Sequence, residues 1–287
     1  MPLYNNARTI RRALDSLLAQ TYRDFQLLIS DDVSTDATPD ICEEYAARDS
    51  RIIVVRQPRN LNYANFRYVL RRARTPLFMF AAGDDYWHPE YVARMIEALD
   101  GDEKAVCAVS RVAFVRDDEL VAQAVGTRPL LADPTANLIR FLSWGDDNSR
   151  MYGVFRTEVA QRAFPERDFF GYDWAFSAGT LREGTHIEVP DVLLWRDYTS
   201  PSRYIEYVRR DTRHAVHRVF PMLPLTRDLV SRLRLPLSGS FVGALYRLNA
   251  VFHLAYLRRY HPRASRISER LVSGVDRGIR VLRRLRS

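Results

Sequence analysis

Short apolar runs separated by stretches of helical periodicity organise the first hundred residues. Residues 27–30, 52–56, 77–81 and 105–110 are strand-length runs rich in Leu, Ile, Val and Ala without polar alternation, the pattern of strands buried on both faces. Between them apolar residues recur every three or four positions. Over residues 9–20, Ile10, Ala13, Leu14, Leu17 and Leu18 share one helical face. Thr38 as N-cap, with Pro39 at the first helical position, opens a helix to Ala47, and residues 65–73 and 89–99 complete the series. Strand alternating with helix predicts an α/β domain on a mostly parallel sheet flanked by helices, doubly wound like nucleotide-binding sheets.

After Asp100 the pattern loosens into a strand near 106–114, a loop at 132–134, a helix over 135–142 and a short strand over 151–155. Beyond Pro201 helix is predicted throughout. The chain opens with Met1-Pro2-Leu3-Tyr4-Asn5 where the first central strand should already be ending. A central strand needs about five residues, so either the true start lies upstream or the sheet carries a stub.

Composition narrows the class. With 287 residues, 47% hydrophobic and 27% charged, the chain is globular rather than disordered or fibrous, and longer than one average domain. Residues 1–199 read as the α/β domain and 200–287 as a helical appendage. Cys42 and Cys107 fall in a predicted helix and strand, with neither metal-ligand spacing nor a disulfide framework. The start lacks a basic-then-apolar leader, which predicts a cytoplasmic location. The net charge of +8 is unevenly spread: nineteen arginines against five acids give residues 200–287 a net +14, leaving −6 on the body. Such a tail suits an anionic surface, membrane lipid or nucleic acid.

Candidate chemistry lies where the apolar strands end. The run at 27–30 leads into Asp31-Asp32-Val33-Ser34-Thr35-Asp36, which suits either recognition of a base or ribose or a capped strand-to-helix loop. The run at 77–81 leads into Ala82-Gly83-Asp84-Asp85-Tyr86-Trp87. Adjacent carboxylates repel unless a hard divalent cation, able to bridge phosphate oxygens, sits between them.

In order and spacing, Pro2-Leu3-Tyr4-Asn5, Leu18-Ala19-Gln20-Thr21-Tyr22, Asp31 to Asp36 and Gly83-Asp84-Asp85-Tyr86-Trp87-His88-Pro89 resemble the inverting family 2 glycosyltransferases of the GT-A fold. The resemblance covers about the first 110 residues and continues weakly to about residue 200. It implies transfer of a sugar from a nucleotide-diphosphate sugar, UDP-type above all, to a carbohydrate or lipid-linked acceptor hydroxyl in cell-surface polysaccharide or glycolipid synthesis. It implies Pro2, Tyr4 and Asn5 at the nucleotide and Asp32 on a uracil-type base. Asp84, with Asp85 beside it, would hold Mn²⁺ or Mg²⁺ on the diphosphate, with Asn60 and Asn65 near the phosphates. Arg196 offers charge compensation to phosphate or, alternatively, a surface salt bridge. Asp173, in Tyr172-Asp173-Trp174, would be the catalytic base, its alternative being a helix cap. The chain departs from the family pattern at Ala82, in place of the first acid of Asp-x-Asp, and at Tyr198, where relatives often offer a histidine.

Trp87 and Trp174 read as pocket floor or as core, and His88, His186 and His253 form no metal spacing. Residues 239–257 are apolar, but Arg247 at their centre would cost about 2.5–3.5 kcal/mol in a bilayer, which predicts a buried or interfacial helix. Leu271, Val275, Ile279 and Leu282 oppose Arg270, Arg277, Arg280, Arg283, Arg284 and Arg286. That helix suits peripheral contact with the inner face of an anionic membrane, or packing on the catalytic domain with a solvated arginine face. Competing functions fare less well. A nucleotidyltransferase wants a Gly-rich loop where Asn5-Asn6-Ala7-Arg8 stands, and a nucleic-acid binder wants stacking aromatics among the arginines, so no nucleic acid partner is expected. A degenerate, inactive family member is the remaining alternative.

Overall fold

The early apolar runs form three parallel strands: β1 (Pro2–Leu3), β2 (Leu27–Asp31) and β3 (Ile52–Arg56), with Pro2 opposite Ser30 and Leu27 opposite Ile52. These come from a computed structural model that describes residues 1–117, 119–130, 133–144, 147–198, 216–217, 220–233, 238–261 and 265. Helix α1 (Ile10–Leu18) buries Ile10, Ala13, Leu14 and Leu17, the face its periodicity predicts. Helix α2 (Thr38–Ala46) has Pro39 in its first turn, but Ala37 rather than Thr38 is the N-cap. The Thr38 hydroxyl is used elsewhere, accepting the Asn6 N–H at 2.7 Å.

Helix α3 (Ala64–Arg72), β4 (Leu77–Met79), β5 (Tyr86–Trp87) and α4 (Tyr91–Asp100) lead to a long strand, β6 (Ala105–Arg116), and its partner β7 (Glu119–Gln123). Helix α5 (Pro134–Trp144), a 3₁₀ turn (Ser149–Tyr152), β8 (Val154–Arg156), α6 (Thr157–Ala163), α7 (Tyr172–Glu183) and β9 (Thr185–Asp197) follow. The second sheet has the order β4-β8-β6-β9-β5, with β7 also on β6. Parallel pairing is narrower than the periodicity suggests. It holds in β1–β3 and between β6 and β9, while β4, β5, β7 and β8 pair antiparallel. The run 151–155, expected as one strand, divides at Gly153, where a Cβ would lie 2.5 Å from Val109 Cγ1 and 2.7 Å from the Ala108 carbonyl. That close approach to β6 ends the turn and starts β8.

One core cluster takes side chains from both sheets, including Leu3 and Ile29 from the first and Ala108, Val112 and Leu194 from the second. A second cluster is aromatic, with Phe176 edge-on to Phe80 at 5.6 Å and 4.9 Å from Phe155. Truncating such a ring to Ala typically costs 3–5 kcal/mol, so these rings hold α7 against the sheet. Trp87 and Trp174 are core, the latter stacked on Phe141 at 4.9 Å.

The chain divides into two compact units, Met1–Tyr198 and Thr199–Ser287. In the second, α8 (Leu223–Leu233) and α9 (Gly239–Tyr260) are joined by Asn249 Nδ2 donating to Thr226 Oγ1 at 2.8 Å. Ser238 caps α9 by accepting the Phe241 N–H, and Phe241 and Leu248 are buried along it. Among the described residues no helix is long and apolar enough to cross a membrane. The arginine-rich helix expected over 270–286 lies outside the described residues.

Candidate active site

The loops leaving β1 and β2 are stitched together by short polar side chains. Asn5, at φ 55°, a conformation Asn tolerates, donates its N–H to Ser34 Oγ at 2.9 Å and accepts the Thr35 N–H at 2.8 Å. Ala7 N–H reaches Asp36 Oδ2 at 3.0 Å. Asp31 accepts the Ser34 N–H through Oδ2 at 3.1 Å, while its Oδ1 is buried without a partner. Between Asp32 and Ser34, Val33 has φ 65°, a conformation strained for a β-branched residue.

Asp32 holds the next loop. Its two oxygens accept the Leu61 N–H at 2.6 Å and the Asn62 N–H at 2.8 Å, and Asn60 Nδ2 donates to its carbonyl at 3.0 Å. Burial raises the Asp32 pKa, against the pull of the two amides. Asn65 is inside, donating to the Ser30 carbonyl at 2.9 Å and accepting the Ser30 hydroxyl at 2.6 Å. Both ends of its amide therefore tie α3 to β2 rather than facing an open rim. Pro2 pairs along β2, and Tyr4 is 48% exposed at the strand end.

Gly83 brings the acidic loop after β4 to this edge. A Cβ there would sit 2.5 Å from Leu3 Cδ2 and 2.9 Å from Asn6 Cγ, so only glycine allows the approach. Asp84 is partly buried and Asp85 fully so. Arg196 Nε donates to Asp85 Oδ2 at 3.2 Å, and the Asp197 N–H reaches Oδ1 at 3.3 Å. Burial pushes Asp85 up to about 7, with Arg196 opposing and Asp84 adding to the rise.

Arg196 also donates to Ser149 Oγ at 3.1 Å and lies over the Tyr152 ring at 4.3 Å. Asp173 enters through the first turn of α7, behind Gly171 at φ 89°. Asn148 Nδ2 donates to Asp173 Oδ2 at 3.3 Å, and the Ser177 hydroxyl fixes the same amide by donating to its Oδ1 at 2.9 Å. Burial raises the Asp173 pKa, with Asn148, the helix-end N–H groups and Arg196 opposing. Asp85, Arg196, Ser149, Asn148 and Asp173 are thus contiguous.

The residues suit a divalent cation only in part. Among the described residues no three His, Cys, Asp or Glu side chains form a metal-binding group. Asp85, expected as a ligand, is instead committed to Arg196 and the Asp197 amide. Asp84 fits, because a cation bridging a diphosphate needs only one or two protein carboxylates, the rest coming from phosphate and water. The Tyr198 ring, at the position of the family's histidine, lies between Phe114 and Arg116.

Comparison with known proteins adds a family to this geometry. The family described as Glycosyl transferase family 2 matches residues 1–161. The chain belongs to glycosyl transferase family 2. Among its relatives, the putative glycosyltransferase EpsH of Bacillus subtilis is 30% identical over 173 residues, 58% of this chain and 49% of that one. The chain spans less than two thirds of the length of the curated relatives it matches. Two solved structures share the fold. Staphylococcus aureus TarS 1–349 in complex with UDP has a TM-score of 0.58 and 19% identity, covering 93% of this chain and 86% of that one. The mannosyltransferase PcManGT from Pyrobaculum calidifontis, in complex with GDP-Man and Mn²⁺, has a TM-score of 0.53 and 17% identity, with 97% and 79% covered. The family 2 domain here is a GT-A type α/β fold.

Asn148, Ser149 and Arg150 escaped the sequence reading of this family 2 domain. Arg150 is fully buried, pairs with Glu188 at 2.7 Å and donates to the carbonyls of Gly126 at 3.0 Å and Arg128 at 2.8 Å. It anchors the turn that presents Ser149 and Asn148. The available signal was the polar run Asp147-Asn148-Ser149-Arg150 ahead of an apolar strand, which says nothing of its partners.

Proposed function

We propose that the chain is an inverting glycosyltransferase that moves a sugar from a nucleoside-diphosphate sugar to an acceptor hydroxyl, with Asp173 as general base. The observation that carries this reading is the contiguity of Asp85, Arg196, Ser149, Asn148 and Asp173 beside the Asp84 loop. UDP and GDP-Man in the neighbours' complexes support a nucleotide-activated donor, UDP-type first. The glycosyltransferase names among its Bacillus relatives support sugar transfer, and the proposed setting is cell-surface polysaccharide or glycolipid synthesis.

Asp32, with Pro2, Tyr4 and Asn5, would meet the base and ribose, and Asn60 would border the phosphates. Asp84 would hold Mn²⁺ or Mg²⁺ on the diphosphate. When bound, that ion supplies charge compensation to the departing diphosphate. Arg196 would add positive charge from the protein side. Burial raises the Asp173 pKa, which makes it a stronger base than a solvated aspartate. It takes the acceptor hydroxyl proton as that oxygen attacks the anomeric carbon opposite the leaving diphosphate. Asn148 holds the carboxylate in place for that transfer. The basic tail would keep the enzyme peripheral on the inner face of an anionic membrane, near a lipid-linked acceptor, and equal sedimentation with neutral and anionic liposomes would end that part.

The central test is a panel of nucleotide sugars with Mn²⁺, reading nucleoside diphosphate release. Asp173→Asn should abolish transfer with nucleotide affinity kept, whereas Asp84→Ala should also remove metal-dependent nucleotide affinity. Release unchanged in both variants rejects the assignment.

A further inference from the structure

Strand β6 changes neighbour along its length. It pairs with β8 at Cys107 and Ala108 and with β7 from Ala113 onward, the ladder ending where the Ala124 N–H donates to the Val112 carbonyl at 2.8 Å, and a cavity of about 190 Å³ opens beside Arg111 and Val112. Gln123 at the end of β7 and Thr127 and Arg128 of the following loop complete its wall. At Arg111 the register with β9 slips twice, since Ser110 lies opposite Val189, Arg111 opposite Val192 and Val112 opposite Leu194. The extra residues, Pro190, Asp191 and then Leu193, are all on β9, so it is β9 that bulges away along this stretch of β6.

We propose that this cavity is an oxyanion subsite that receives a phosphate or carboxylate group borne by the acceptor. The assignment rests on the sugar-transfer reading above. Arg111 and Arg128 enter no ion pair among the described residues, and no acid among those residues lines the cavity. Thr127 Oγ1, on a residue 1% exposed, is buried with no hydrogen-bond partner. A buried hydroxyl left unsatisfied is costly, and the exposed side chains of Arg111 and Arg128, which line the same cavity, add cationic donors for an oxyanion.

The loop is built to hold that shape. Asp147 Oδ2 accepts the Val125 N–H at 2.8 Å and the Gly126 N–H at 2.9 Å. A Cβ on Gly126 would fall 2.5 Å from the Asp147 carbonyl, so no larger residue fits. Arg150 grips the carbonyls on either side of Thr127, and Glu188, its partner, accepts the Leu130 N–H. A buried ion pair adds little net stability, so its effect here is to fix the loop backbone. The same Asp147-Asn148-Ser149-Arg150 segment that positions this loop also contacts Arg196 and Asp173. Phe114, opposite Arg196, lies three residues beyond Arg111, about 10 Å along the strand. That separation exceeds one sugar ring, so an acceptor reaching both places would carry its anionic group one or two units from the sugar under transfer.

The test is calorimetric titration of the full chain with inorganic phosphate and, separately, glucuronate, in saturating UDP so that a donor site is filled. Binding of at least one anion is expected, weakened about tenfold by Arg111→Ala or Arg128→Ala, less by Arg111→Lys and Thr127→Val, with UDP affinity unchanged. Phosphate alone binding assigns a phosphate-bearing acceptor, glucuronate alone a uronate. Binding of neither anion, or binding indifferent to both arginines, overturns the subsite. Arginine-dependent anion binding in a chain that does not bind UDP overturns its acceptor role together with the transfer reading.

Discussion

The carboxylates after β2 and those around Arg196 are held by different chemistry. Asp31 and Asp32 take their hydrogen bonds from the backbone amides of Ser34, Leu61 and Asn62, and Asp36 from those of Ala7 and Thr38 with the Thr38 hydroxyl besides. Asp173 takes its side-chain partner from Asn148, and Asp85 from Arg196 with one backbone amide besides. Backbone amides neither titrate nor change rotamer, so the first region is a fixed cradle suited to recognising a base. The second is a network of side chains whose charges can re-partner when a diphosphate arrives. On the proposed reading, recognition and chemistry would be divided between a rigid rim and an adjustable one.

The division is tested most severely by Asp173→Asn, which keeps the shape but removes the base. The expected loss in kcat is about 10²–10⁴-fold, with the thermal midpoint little changed. A loss under tenfold would mean that the adjustable rim is not the reacting one. In the parent enzyme the rate should rise with pH, because protonated Asp173 cannot accept the hydroxyl proton. Burial raises its pKa, so the inflection should lie above the ordinary aspartate value of about 3.9.

Next in size is Asn65→Ala, which strips the Ser30 carbonyl of its side-chain donor inside the rigid rim. A loss of about 1–3 kcal/mol in urea unfolding is expected, with UDP affinity of the folded protein unchanged. A loss of UDP affinity at unchanged stability would move Asn65 to the phosphates. Val33→Gly should stabilise the chain by up to about 1 kcal/mol, since glycine adopts φ 65° freely and loses only part of that gain to entropy. The smallest effect is that of Asn148→Ala. Its donation favours the charged form of Asp173, so the acidic limb of the pH–rate profile should move to higher pH with the KM for the nucleotide sugar unchanged. A limb that stays put would make Asn148 merely structural.

Local signals made the first region legible. The run at 52–56 is a strand over the same residues through its parallel pairing with β2, but as an edge strand it buries only Ile52 and leaves Ile53 44% exposed, not the two buried faces its apolar run suggests. The Asp31–Asp36 loop announces itself by turn residues bonded to amides close in the chain or in the adjoining loop. The second region was legible in its acids but not in their partners. Nothing near Asp85 in sequence points to Arg196, 111 residues on, nor does anything near Asp173 point to Asn148, 25 residues back. The two-residue β5 exists only through pairing with Leu194 and Trp195, and β6 outruns its apolar core by exchanging one neighbour for another. Asn65 is polar and follows an Asn-rich loop, which suggests a ligand contact, yet the Ser30 network draws it inside.

A crystal structure with UDP and Mn²⁺ tests the convergence of the two rims most directly. It should show uracil against Asp32, the diphosphate between Asp84 and Arg196, and the Asp173 carboxylate across from the leaving group. UDP seated elsewhere, for instance in the cavity of about 420 Å³ beside Arg74 and Gln161, or Asp173 turned away from the diphosphate, would contradict the account.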